Sequence, residues 1–350
     1  MSNLKNTFVR FKSSPAFTGF MLFILALAMN IIIRGPVDFF SSSSLGTLFA
    51  KNAPIILVVM AQAVLLITGT LDISIGIQLA LVNVVVIMLP QEFGMSIPVA
   101  WIFGILVSLA ISAVGGFLVA VLRIPAILAT FALTFVIKGI NVLIMNVPQG
   151  SVPKEYYSAY DEVLFGFIPV AALIILGMAL IWVMVKRTKF GKHIYAVGAS
   201  PRNAFAAGIN PTKVIMKAFL FKGFITGIAG ISLTLMLAAG NPLQVEGYGL
   251  RSLAACIIGG LGFAGWGSMS CALYGAGFLV LIQNAVYYFF NYLQSVINGF
   301  QITSYWQNFI ADMIVLLGLL MATVTARAQR EALKQGLSRQ LKRGEKFEKK

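Results

Sequence analysis

Residues 66–78 read LITGTLDISIGIQ, and the fold turns on how this stretch is understood. It sets one carboxylate, Asp72, between apolar runs at about 52–69 and 73–90, each near the ~20 residues that cross the hydrocarbon of a bilayer. A charge inside a membrane helix costs roughly 3 kcal/mol on insertion scales, so Asp72 has to be paired, capped or hydrated. Gly69 suits the end of one helix, and Asp72 or Ser74 suits the start of the next by accepting its free amide hydrogens. A second reading is compatible with the first: the helix is broken here and turns its polar ends toward a solute, as discontinuous helices do in transporters.

Outward from this stretch the pattern repeats. Apolar runs fall at about 17–33, 97–122, 126–145, 163–185, 214–239, 252–263, 269–290 and 308–325, which makes ten with the first two. The run at 252–263 is the short one and reads as either a span or a re-entrant half-helix. Residues 55–67, IILVVMAQAVLLI, show none of the alternation of a barrel strand, so the spans are helical. The composition agrees: 59% of residues are hydrophobic and 11% charged, against about a quarter charged in a soluble domain. The fold class expected is all-α, a polytopic membrane helix bundle of about ten transmembrane helices with broken or re-entrant segments near 69–76 and 252–268. Residues 17–326 form one membrane domain, between an N-terminal arm at 1–16 and a basic tail at 327–350.

With ten spans both termini share one side, and basic residues say which. The arm, the Arg123 turn, the loop from Lys186 to Lys217 and the tail hold 20 of the 26 Lys and Arg; the other side holds four, Arg34, Lys51, Lys154 and Arg251. The positive-inside rule then places both termini in the cytoplasm. The net charge of +15 belongs to these loops and tails, where anionic headgroups attract it, and not to nucleic-acid binding. The apolar run after the arm ends in Ile31, Ile32, Ile33 and Arg34 without a small-residue cleavage pattern, so it reads as a retained first span.

Enzyme signatures are scarce, and neither catalytic residues nor a bound metal is expected. There is one histidine, His193, in a loop rich in Lys and Arg, and Cys256 and Cys271 lie in or beside apolar segments without metal-ligand spacing. Gly191 and Lys192 could end a phosphate loop, but His193 stands where Ser or Thr is required. Any ATP that is used, with its magnesium, is bound by another chain.

Three further places stand out. The loop 186–213, KRTKFGKHIYAVGASPRNAFAAGINPTK, has an apolar stretch at 204–209 between Pro201 and Pro211, and Ser200 suits the cap of a helix begun by Pro201. Such a helix either lies on the membrane surface or docks a soluble partner. The run Gly259 to Gly267, including Gly259, Gly260 and Gly265, reads as a tight turn or as a second discontinuous element facing the first. The stretch 291–308, NYLQSVINGFQITSYWQN, puts Tyr305 and Trp306 in an interfacial belt and leaves Gln301, Asn308 and Asp312 as candidates for a solute path.

Taken in order, LITGTLDISIG, KRTKFGKHIYAVGASPRNAFAAGIN, YGLRSLAACIIGGLGFAGWGS and SYWQNFI resemble the membrane permease subunits of bacterial ABC importers in the ribose, galactose, arabinose and xylose branch. The resemblance runs from Phe17 to about Arg327. It implies an inner-membrane protein that pairs with a second permease copy, receives a monosaccharide from an extracytoplasmic solute-binding protein and is driven by a cytoplasmic ABC ATPase. It also implies that Gly198, Ser200, Pro201, Arg202, Asn203, Ala206, Gly208 and Ile209 belong to a coupling helix docked in the ATPase. On the same resemblance the break at Gly69 to Gly76 and the turn at Gly259 to Gly267 are expected to border the path, with Asp72 and Ser74 shaping the break. Gln78 and Asn83 are the expected path-facing groups of the following helix, although five residues amount to about 140° of rotation. Two positions depart from the family pattern, Thr70 and Trp266, where glycine is usual. Relatives that import nucleosides, branched-chain amino acids or a furanosyl signalling molecule are the alternative, and an ion-coupled secondary transporter using Asp72, Asp312 or Lys138 is the rival from outside the family.

Overall fold

The computed structural model describes residues 16–262, 266–297 and 301–325, with side chains as far as residue 321. In chain order its main helices are α1 (Ala16–Arg34), α2 (Ser42–Ile67), α3 (Ile75–Phe93), α4 (Ile97–Val121), α5 (Ala126–Ile144) and α6 (Val170–Arg187). Two short helices follow, α7 (Lys189–Ala199) and α8 (Pro201–Ala206), and then α9 (Pro211–Leu237), α10 (Tyr248–Ile258), α11 (Met269–Val296) and α12 (Ser304–Thr325). Among the described residues nine helices are long and apolar enough to cross a membrane, and α10 is not one of them. At 11 residues it reaches only about 16 Å.

The tenth passage is made in two pieces. Helices α1 and α11 run parallel: Asn30 Nδ2 donates to Leu281 O at 2.8 Å, and the Arg34 guanidinium lies 4.1 Å from the Tyr288 ring centroid one turn further on. Let the end of the bundle where α1 and α11 begin be the near end. Helix α10 finishes there, because Gly259 lies against Gly19 and against the Cys271 carbonyl. Its approach starts at the far end, where the strand pair Ala239–Gly240 with Gln149–Ser151 joins the exits of α9 and α5. Residues 238–258 therefore cross from far end to near end as irregular backbone followed by a half-helix.

The core is built around α2 and α9. Helix α2 is sealed over nearly all of Ala53 to Ile67, although Pro54 removes one of its backbone donors. Helix α9 carries Gly223, Gly227 and Gly230 along one stripe, and a Cβ there would come within 2.7 Å of Ser112 Cβ, 2.9 Å of Ile105 Cα and 2.5 Å of Val82 Cβ. Lipid gives apolar helices little reason to associate, so such backbone proximity is what holds them. The outer faces of α4 and α6, with Ile102, Leu106, Leu176 and Leu180 exposed, are uncharged and suit acyl chains.

Candidate functional site

The first break follows from the residues after α2. Thr68 caps the helix, Gly69 takes the left-handed conformation at φ 78°, and the amides of Gly69 and Thr70 donate to Leu66 O and Leu65 O at 3.0 Å each. This double closure is the usual glycine stop of a helix. The Thr70 hydroxyl bonds Thr68 Oγ1 at 3.0 Å, so this side chain is used in the turn. Residues 71–74 then run without helix until α3 starts, and the Ile73 amide donates to Thr130 Oγ1 of α5 at 3.1 Å.

Asp72 closes this segment with both oxygens. Oδ1 accepts from the Ser74 amide at 2.8 Å and from its hydroxyl at 2.6 Å. Oδ2 lies 2.5 Å from the ammonium of Lys222 on α9, and both side chains are buried. Lys222 also donates to Gln78 Oε1 and to Ser112 Oγ at 3.3 Å. Gln78 Nε2 in turn donates to Ser108 O at 2.6 Å and to Ser112 Oγ at 2.9 Å. One network thus joins the break to α3, α4 and α9, and a fully satisfied network in a low dielectric specifies a single arrangement.

The second break is the lead-in 241–247, and it interlocks with the first. A Cβ on Gly76 would lie 2.5 Å from Val245 O, and one on Gly249 would overlap Ile73 O. Asn141 Nδ2 of α5 bridges both elements, donating to Pro242 O at 3.1 Å and Ile77 O at 3.3 Å. Asn83 Oδ1 accepts from the Asn241 amide at 2.7 Å while its Nδ2 donates to Thr234 Oγ1 at 3.0 Å. Both ends of the lead-in are therefore anchored on α3.

The residues singled out in the sequence fall into distinct places. Asp72, Ser74, Gln78 and Asn83 are all buried and hydrogen-bonded within the bundle. Ser74 stands at the start of α3 without capping it through its side chain. Gly259 and Gly260 end α10, so the irregular backbone of this passage lies before the half-helix and not only after it. Gly265, the arm before Ala16 and the tail after Thr325 lie outside the described residues. Gln301 and Asn308 are exposed, and Asp312 accepts from Arg251 Nη2 at 2.8 Å. No group of His, Cys, Asp or Glu among the described residues is placed to hold a metal ion.

The loop after α6 is ordered by its caps. Thr188 Oγ1 accepts from Gly191 N at 3.3 Å to start α7, Ser200 Oγ accepts from Asn203 N at 3.3 Å to start α8, and Asn210 Oδ1 accepts from Lys213 N at 3.1 Å to start α9. Gly208, at φ 81°, ends α8, and the Ile209 amide returns to Ala204 O at 2.9 Å. Gly198 is a buried residue of α7, Ala204 is the buried residue of α8, and Arg202, Asn203 and Ala206 are exposed. Phe205, 68% exposed, projects from the same short helix.

Lys222, Asn141 and Asn241 hold the site together, and sequence reading assigned them no part in it. Lys222 gave a signal: it is a basic residue inside an apolar run, and the cost of burying Asp72 calls for a counter-charge. Nothing in the sequence says that these two, 150 positions apart, face each other.

Comparison with known proteins follows the same lines. Residues 44–324 match a family described as branched-chain amino acid transport system permease component. The chain is similar to an autoinducer 2 import system permease protein of Enterobacter sp. (strain 638), 29% identical over 308 residues, covering 86% of this chain and 84% of that one. It is 27% identical to a fructose import permease protein of Rhizobium meliloti over 277 residues, 75% and 76% of the two chains. A D-allose transport system permease protein of Escherichia coli (strain K12) is 28% identical over 310 residues, 86% and 89% of the two chains. No solved structure matches.

Proposed function

As the chain belongs to the family of branched-chain amino acid transport system permease components, its match spanning residues 44–324, we propose that it is the translocating subunit of an ATP-driven importer whose solute is a monosaccharide. The observation that carries this reading is the interlock of two discontinuous passages, 68–74 and 241–247, inside a bundle of this family. Broken helices set backbone polar groups at membrane depth, which is tolerated only where protein buries them or a water path runs beside them. The sugar class is taken from relatives whose names give fructose and D-allose.

In this reading the chain makes and breaks no covalent bond. A cytoplasmic ABC ATPase binds ATP and magnesium, and an extracytoplasmic binding protein delivers the solute to a path between two permease copies. The protein is a multi-pass inner-membrane protein with both termini in the cytoplasm, the side that collects most of its basic residues. Residues 186–213 form the coupling loop, with Gly198, Ser200 and Pro201 shaping it, Gly208 and Ile209 closing α8, and Arg202, Asn203, Phe205 and Ala206 on its outer surface. ATP binding moves this loop and with it the equilibrium between outward and inward states. Asp72, Ser74, Gln78 and Asn83 support the two breaks, so the solute meets what the breaks present rather than these side chains. Ion coupling through Asp72 is disfavoured because that carboxylate already holds Lys222.

The test is hydrolysis. The chain, co-expressed with an ATPase and binding protein from its own genome and reconstituted in liposomes, should hydrolyse ATP faster when liganded binding protein is added. An ATPase that neither co-purifies with the chain nor responds to it removes the assignment.

A further inference from the structure

Four charged side chains outside the buried network form two ion pairs on the surface of the bundle. Lys138 Nζ lies 3.0 Å from Glu246 Oε2, with side chains 37% and 44% exposed. Arg251 Nη2 lies 2.8 Å from Asp312 Oδ2, with side chains 35% and 46% exposed. Both pairs sit at membrane depth: Lys138 is six residues, about 9 Å, inside the far end of α5, and Asp312 is about 12 Å inside α12 from Ser304. Charges at such depth face protein or water, not acyl chains. No charged residue interrupts α4 or the first 16 residues of α6, so the lipid-facing surfaces are of another kind.

The two pairs meet on one element. Glu246 belongs to the lead-in and Arg251 to the first turn of α10, so the second break is joined to α5 on one side and to α12 on the other. The inner side of the lead-in is fastened by Asn141 and packed on Gly76. Its outer side exposes Gln244 and Glu246.

We infer that this face, from α5 across the lead-in to α12, lines the solute path, and that Lys138, Gln244, Glu246, Arg251 and Asp312 form a subsite for a neutral polyhydroxylated solute. The inference rests on the transport role proposed above. Two cations facing two carboxylates leave no surplus charge to attract an ionic solute. Hydroxyl groups donate to carboxylate oxygens and accept from ammonium and guanidinium hydrogens. A polyol can therefore replace water around both pairs without leaving any of the four charges uncompensated, whereas an anion could pair with Lys138 or Arg251 only by displacing the carboxylate already there.

The experiment uses the complete transporter, with its ATPase and binding protein, in liposomes. Wild-type uptake is first measured with ATP for ribose, fructose, allose and leucine; uptake of none of them counts against the transport reading itself. For the sugar that is carried, Glu246→Gln and Asp312→Asn should each raise KM by about tenfold, the loss of one strong hydrogen bond. The exchange Lys138→Glu with Glu246→Lys, which restores an ion pair, should fail to restore KM; recovery would mean that the pair is only a strap. In parallel, Glu246→Cys and Asp312→Cys should react with a membrane-impermeant maleimide and be protected by the sugar, against a low background because Cys256 and Cys271 are buried. This readout needs no transport. Unreactive cysteines, unchanged KM in the Gln and Asn variants, or leucine as the carried solute would each overturn the subsite.

Discussion

Lys222 Nζ lies 2.5 Å from Asp72 Oδ2, and neither side chain reaches solvent. The pair links the middle of α9 to the break between α2 and α3, and Gln78 and Ser112 complete the hydrogen bonding of the ammonium. Removing one partner of such a pair leaves a buried charge uncompensated, which costs about 3–5 kcal/mol, whereas removing both costs far less. Lys222→Met should therefore lower thermal stability in detergent steeply, and adding Asp72→Asn should recover most of the loss. Equal stability of the single variant and the parent would contradict the role given to the pair.

Gly249 packs on the Ile73 carbonyl with no room for a methyl group, whereas Gly177 in α6 has open space around its Cβ position. Gly249→Ala has to push the two breaks apart, and a loss of about 1–3 kcal/mol follows from forcing a side chain into packed surroundings. Gly177→Ala should be neutral or gain about 0.5–1 kcal/mol, since alanine favours the helix. Unfolding measured on the two variants side by side checks the interlock.

Phe205 projects from α8 with most of its surface exposed, so its truncation removes little packing. Phe205→Ala should leave expression and melting temperature at parental values and reduce the binding-protein-stimulated ATPase rate by about tenfold or more, the loss of one aromatic anchor at an interface. Stimulation at the parental rate would move the docking site elsewhere.

Asn83 makes three hydrogen bonds, to Thr234, to Ala239 and from Asn241. Asn83→Ala leaves the buried Thr234 and the half-buried Ala239 carbonyl and Asn241 amide without this partner, at about 1–3 kcal/mol. Stability should fall while KM for the solute stays at the parental value, the outcome expected of a support. A changed KM with unchanged stability would return Asn83 to the solute path.

Much of this architecture was legible in the chain. The runs of apolar residues locate the spans because no other pattern satisfies a bilayer, and Ser200 with Pro201 marks the start of α8 because cap chemistry is local. Gly69 is readable for the same reason. The second break was not readable at 241–247. Its stretch, NPLQVEG, looks like an ordinary outer loop, and only its packing against Gly76 and Asn141 carries it into the bundle. Arg251 was counted with the outer loops on the same reasoning, but it pairs with Asp312 inside the span of α12. Local sequence exposes caps and lengths; contacts between positions 72 and 222, or 141 and 242, are set by tertiary packing, which no local pattern encodes.

Uptake driven by nucleotide alone tests the transport role most directly. Liposomes holding the chain with its ATPase, loaded with ATP and magnesium and supplied with liganded binding protein, should accumulate the monosaccharide in the absence of any proton or sodium gradient. Accumulation driven by an ion gradient in liposomes free of ATP would contradict it.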